Sequence, residues 1–327
     1  MGFSRKQGIA GRRCARRGAL GPCSTVAFPR MLRRPSAIAF GLLAIALAAC
    51  GSGGGGNSTA NTLSGVTFGA STFVAVGNDG RIRTSSDGKS FTGRTSGVTG
   101  TLNAVAFGAG LFVVAGDSGV LLSSSDGVTW AVESAALTDS LQGVAFGNGT
   151  LVVVGFGGTI ATSSDGHVWV PRSSGTTTPL RDVGFGDGLF VAVGDAGVLF
   201  TSADGAVWSP ADSGTTDTLH AVQFGAGTFV LAGANGTLGH STDGRTWMTS
   251  RQAFPTLLGL TFAQNQFVAV GVGGTIATSA DGAAFTGQKS PTIDDLRGVT
   301  FGADTFTAVG AGGIVIASPD AVTWTAH

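Results

Sequence analysis

From Leu63 onward the chain repeats one pattern of apolar and polar positions. Each unit opens Leu-x-x-Val-x-Phe-Gly, continues with an apolar run closed by glycine such as Phe73-Val-Ala-Val-Gly77, and then a Gly-x-Ile-x-x-Ser segment. It ends in Ser-x-Asp-Gly-x-x-Trp, as in Ser124–Trp130. Short alternating runs punctuated by glycine predict four strands per unit joined by tight turns. The aspartates of the last segment are Asp87, Asp126, Asp165, Asp204, Asp243, Asp281 and Asp320, spaced by 39 residues except for one interval of 38. A four-stranded unit repeated at that period closes radially. The expected fold is therefore all-β: a seven-bladed β-propeller of four-stranded antiparallel blades over residues 63–327.

Alternation along a strand sets Val105 and Phe107 on one face and Ala104 and Ala106 on the other. The same split recurs at Val66 and Phe68 against Gly65 and Thr67, so the large face of each blade should pack on the small face of its neighbour. The first unit starts with its inner strand and the last ends with its outer strand. Closure is thus expected to rest on packing between blades 1 and 7, with no blade assembled from both ends of the chain.

Composition agrees: 56 of 327 residues are Gly, Tyr is absent, and charged residues make up 12%. The zero net charge hides two unlike parts. Residues 1–50 hold eight Arg and one Lys with no acid, whereas the rest holds eight Arg and two Lys against eighteen Asp and one Glu, a formal −9. A domain of that sign repels phosphates, so no nucleic-acid partner is expected. Cys14, Cys23 and Cys50 all precede the repeats, which leaves the repeats no internal disulfide.

Met31-Leu-Arg-Arg34, the thirteen-residue run Ala37–Ala49 and then Cys50 have the layout of a signal peptide. The run is short for a membrane span. Leu47-Ala-Ala-Cys50 resembles the lipobox of bacterial lipoproteins, which implies cleavage after residue 49, lipidation of Cys50 and export to the cell envelope. Gly51 in place of Asp implies the outer membrane where the cell has one. Residues 50–62 read as the lipidated cysteine and a flexible linker reaching about 20 Å. Residues 1–30 fit no usual leader, and Met31 offers an alternative start.

The Ser-x-Asp-Gly-x-x-Trp units, over residues 63–327, resemble the Asp-box (BNR) repeat of sialidase-type propellers and of the photosystem II assembly-factor family, with a broader likeness to WD40-type repeats. The resemblance implies that each aspartate closes the turn between third and fourth strands and that the Trp packs inward. Five blades have Trp in that slot; Phe91 and Phe285 fill the other two. A sialidase would also need a Tyr nucleophile paired with Glu and an arginine cluster. Tyr is absent and Glu133 is the lone Glu, so those catalytic residues do not carry over. Two-carboxylate glycoside chemistry would fall to Asp182 with Asp187 or Asp294 with Asp295. Turn aspartates explain both pairs equally well.

Gly116-Asp-Ser-Gly119 resembles a serine-protease segment but aligns with Gly77-Asn-Asp-Gly80 and Gly194-Asp-Ala-Gly197, a repeat turn. His167, His220, His240 and His327 lack metal-ligand spacing. No metal and no cofactor is expected, and no catalytic residue is assigned.

The repeats differ most just after their first Leu, at Ser64, Asn103, Gln142, Arg181, His220, Leu258 and Arg297. Radial symmetry should bring these side chains to one mouth of the central channel. Asn103, Gln142, Arg181, His220 and Arg297 are the candidate ligand-binding residues. The expected function is a membrane-anchored, non-catalytic binding or assembly module for an envelope protein or glycan, with no oligomer implied. The alternatives are a sialidase-like glycoside hydrolase and a photosystem II assembly or stability factor. The latter family typically presents a basic patch, whereas the eight Arg here are scattered.

Overall fold

A computed structural model describes residues 61–327. The expected signal peptide, Cys50 and nearly all of the linker lie outside the described residues.

Seven four-stranded antiparallel sheets form, each in simple chain order from inner to outer strand. The inner strands are Leu63–Gly69, Leu102–Gly108, Leu141–Gly147, Leu180–Gly186, Leu219–Gly225, Leu257–Ala263 and Leu296–Gly302. Each joins its second strand through a two-residue turn such as Ala109-Gly110, with both residues left-handed at φ 52° and 77°. That geometry matches the twist of the strands it connects. The seven-bladed propeller expected from the repeat is thus the fold, and its first and last blades share no strand.

The faces pack as the alternation requires. A Cβ on Gly69 of blade 1 would lie 2.1 Å from the ring of Phe107 in blade 2, and one on Gly108 would lie 2.2 Å from Phe146 in blade 3. In six blades the inner strand ends in glycine because the next blade's phenylalanine occupies that space; blade 6 ends in Ala263. The series closes on itself at Gly302, whose Cβ would strike Phe68 of blade 1. Burying a Phe or Leu contributes roughly 1.5–3 kcal/mol per side chain. The core is accordingly a ring of seams between blades.

The turn between third and outer strands is held the same way in every blade. Asp165 Oδ1 accepts the N–H groups of His167 and Val168 at 2.9 Å, and the Ser163 hydroxyl donates to it at 3.0 Å. These bonds, the Val168 N–H foremost, lower the Asp165 carboxyl to about 2. Asp87, Asp126, Asp204, Asp243, Asp281 and Asp320 accept the equivalent pairs of amides. Each Trp folds back over its turn, its indole N–H donating three residues earlier, as Trp208 does to the Gly205 carbonyl at 2.8 Å.

Candidate functional site

The inner strand of every blade skips one residue in its pairing immediately after the first Leu. Leu102 pairs Gly116 and Ala104 pairs Ala115, leaving Asn103 as the extra residue of a β-bulge. The same irregularity falls at Ser64, Gln142, Arg181, His220, Leu258 and Arg297. A bulge re-aims the side chain it carries. All seven bulge residues line one central channel with a volume of about 510 Å³.

They are not equally free. In blade 2 the Asn103 amide donates to Asp117 Oδ1 at 3.0 Å and to the Leu141 carbonyl at 2.9 Å. Ser140 donates to the same Asp117 oxygen and accepts from the Gln142 amide at 2.8 Å. Burial works against the charged Asp117 carboxyl, but the Ser140, Asn103 and Thr101 donors outweigh it and hold the group below its ordinary value. Thus Asp117, read in the sequence only as part of a repeat turn, tethers two of the candidate residues.

Blade 4 repeats this plan with a charged donor. Arg181 meets Asp195 in a bidentate pair, Nε to Oδ1 at 2.7 Å and Nη2 to Oδ2 at 2.8 Å. Its guanidinium carbon stands 4.9 Å above the Phe156 ring of blade 3. The Arg181 bonds hold Asp195 below the ordinary carboxylate range. His220 of blade 5 is shifted down, first by burial and then by the Arg181 charge, so its imidazole is neutral at pH 7. Arg297 of blade 7 is exposed and has no hydrogen-bond or ion-pair partner among the described residues. The unengaged polar side chains of the bulge ring, among the described residues, are therefore Arg297, His220 and the small Ser64, while Arg181, Asn103 and Gln142 are held by their neighbours.

One further channel residue was weighed in the sequence only as half of a carboxylate pair. Asp182, beside Arg181, also lines the lumen, and its Oδ2 accepts the Val222 N–H of blade 5 at 2.9 Å. Burial raises its carboxyl to about 7, against the pull of the Val222 and Val183 amides. The two carboxylate pairs weighed for hydrolysis do not assemble there. Asp187 sits at the hairpin tip five residues along the strand, about 17 Å from Asp182 at the usual rise. Asp294 engages Thr292, and Asp295 accepts the Gly273 N–H at 2.9 Å. His167 pairs Glu133 at 2.9 Å far from the channel residues in sequence and on the third-to-outer turn. Among the described residues no three His, Cys, Asp or Glu side chains converge as a metal site.

Fold and channel together define a seven-bladed β-propeller with a polar axial channel. By sequence, no family profile and no curated protein matches the chain. By structure it is similar to YCF48 bound to a D1 peptide, with a TM-score of 0.65 at 19% identity over 79% of this chain and 93% of that one. It is similar also to YCF48 from Cyanidioschyzon merolae, at TM-score 0.62 and 20% identity over 78% and 94%. The WD40 propeller domain of Doa1 gives 0.65 at 14% identity over 80% and 94%. At these identities the likeness is one of fold.

Proposed function

We propose that this protein is a non-catalytic binding or assembly module of the bacterial cell envelope, anchored through lipidated Cys50, that holds a protein partner over the mouth of its channel. The observation that carries the reading is the bulge: seven otherwise equal blades turn their most divergent side chains toward one opening. Divergence on a shared scaffold is where recognition resides. The Ser-x-Asp-Gly-x-x-Trp units support placing the chain with Asp-box propellers. That YCF48, of the same architecture, has been solved with a D1 peptide favours a protein partner over a glycan.

The test is capture of envelope proteins by the purified protein beside a variant carrying His220→Ser and Arg297→Ser, the residue blade 1 already has at Ser64. Selective capture that the variant loses supports a channel-mouth site; capture unchanged in the variant removes the mouth from the reading. Separately, Cys50→Ser should release the protein from membranes, as fractionation would show.

A further inference from the structure

The third residue of each inner strand is small in six blades: Gly65, Ala104, Gly143, Ala221, Gly259 and Gly298. It is small because neighbouring backbones approach closely there. A Cβ on Gly143 would come within 2.8 Å of the Asp182 Cα, and one on Gly259 within 2.8 Å of the Arg297 carbonyl oxygen. Blade 4 alone has a carboxylate in this slot, Asp182, and it faces the channel.

Among the described residues no cationic side chain neutralises it. Arg181, its chain neighbour, is paired through Nε and Nη2 with Asp195, and no Lys or Arg forms an ion pair with Asp182 among the described residues. Its protein partners are backbone amides, Val222 and Val183. A seam-bracing role is a weak explanation, since six seams close with Gly or Ala in the slot. A half-buried acid without a counterion costs stability and marks a place where a ligand supplies the missing charge. Three blades further round a closed ring of seven, and so across the lumen, stands the unengaged cation Arg297.

We propose that the channel binds an ammonium-bearing zwitterion, its ammonium group on Asp182 and its carboxylate at Arg297. This deepens the binding-module reading and rests on the same channel. The charged or titratable groups around Asp182 are the Arg181–Asp195 pair, which is internally balanced, and the neutral His220, with Arg297 opposite. None competes for an ammonium group. An incoming cation favours the ionised carboxylate, so binding below about pH 7 releases a proton.

The experiment is calorimetric titration of the purified full-length protein with 4-aminobutanoate, 6-aminohexanoate and 8-aminooctanoate, beside hexylamine and hexanoate as single-charge probes. One zwitterion length should be preferred, and at pH 6 its heat should vary with the ionisation enthalpy of the buffer. Asp182→Ala, which installs the residue of blades 2 and 5, should weaken zwitterion and amine binding by about tenfold or more and abolish that buffer dependence. Arg297→Ser should erase the preference of zwitterion over amine. Equal binding by wild type and Asp182→Ala, or no saturable binding of any zwitterion at millimolar concentration, overturns the proposal. The two readings fail separately when both are measured on the wild type: partner capture without saturable zwitterion binding overturns this proposal alone, and zwitterion binding without partner capture overturns the protein-partner reading alone. The variant's folding has its own readout: a carboxyl raised from 3.8 to about 7 costs the wild type stability as pH climbs through that window. Denaturation midpoints of wild type and Asp182→Ala should accordingly diverge between pH 4 and pH 7, with the variant gaining.

Discussion

The seam between blades 3 and 4 and the seam that closes the ring between blades 7 and 1 are built from the same repeat, yet they differ in kind. The first gathers ten buried apolar residues, among them Val152, Ile160, Phe190, Phe200 and Trp208. The closing seam gathers five, Leu63, Val66, Ala75, Val309 and Val315. Three replacements account for much of the contrast: Arg83 stands where blade 4 has Phe200, Phe91 where it has Trp208, and Thr307 where blade 3 has Val152. Two of them are linked. In blade 4 the Trp208 indole donates to the Gly205 carbonyl. Phe91 has no ring N–H, and the equivalent Gly88 carbonyl instead accepts the buried Thr307 hydroxyl, at 3.0 Å, from a residue 219 positions away. Six seams are also tied by the linker joining consecutive blades. The seventh has no such tie, and the Thr307–Gly88 hydrogen bond adds a directional contact that helps set its register.

The contrast can be broken most forcefully at its phenylalanines. Phe190→Ala removes a ring that packs on Phe185 at 4.6 Å and on Trp208 at 6.5 Å, and should cost about 3–5 kcal/mol in chemical denaturation. Phe73→Ala, its counterpart at the closing seam, should cost less by about 1 kcal/mol or more, because among the described residues its ring pairs with Phe68 alone, at 4.6 Å. Equal losses would mean that the two seams are energetically alike. Next in size is the linked pair. Thr307→Val alone should cost about 1–2 kcal/mol by stranding the Gly88 carbonyl. In a Phe91→Trp background, where the indole can reach that carbonyl, the same change should cost close to nothing. A double-mutant cycle showing no coupling would separate the two substitutions.

How much of this was legible without coordinates depends on what the repeat itself encodes. Blade number, strand order and the large-on-small packing of faces all follow from period and alternation, and all are present. The bulge was missed, although it leaves a trace. Leu63 and Val66 are three apart and both buried in one cluster, which strict alternation forbids unless an extra residue intervenes. The channel ring of Ser64 to Arg297 was legible as a ring, but not the engagement of Arg181 by Asp195 or of Asn103 by Asp117, because those partners lie in a different turn of the blade. Asp182 was weighed only as half of a carboxylate pair. Its signal was its place in a column of Gly and Ala, a comparison across blades rather than along the chain. The Phe91–Thr307 exchange joins residues at opposite ends of the domain, so no local pattern could link them.

The smallest expected effect sharpens the comparison from the other side. Arg83 is partly buried on the third strand of blade 1 and has no partner among the described residues, and on the same face the Arg81 Nε is buried without a hydrogen bond. Blade 2 has Leu122 at this position, fully buried in its seam. Arg83→Leu should therefore exchange a partly buried cation for an apolar contact of the kind the other seams use, and stabilise the protein by about 1 kcal/mol. For a domain of this size that raises Tm by about 2–4 °C in a thermal melt. A loss of similar size would show that the Arg83 stem already packs as well as leucine does, and that the closing seam is polar in its chemistry without being weak.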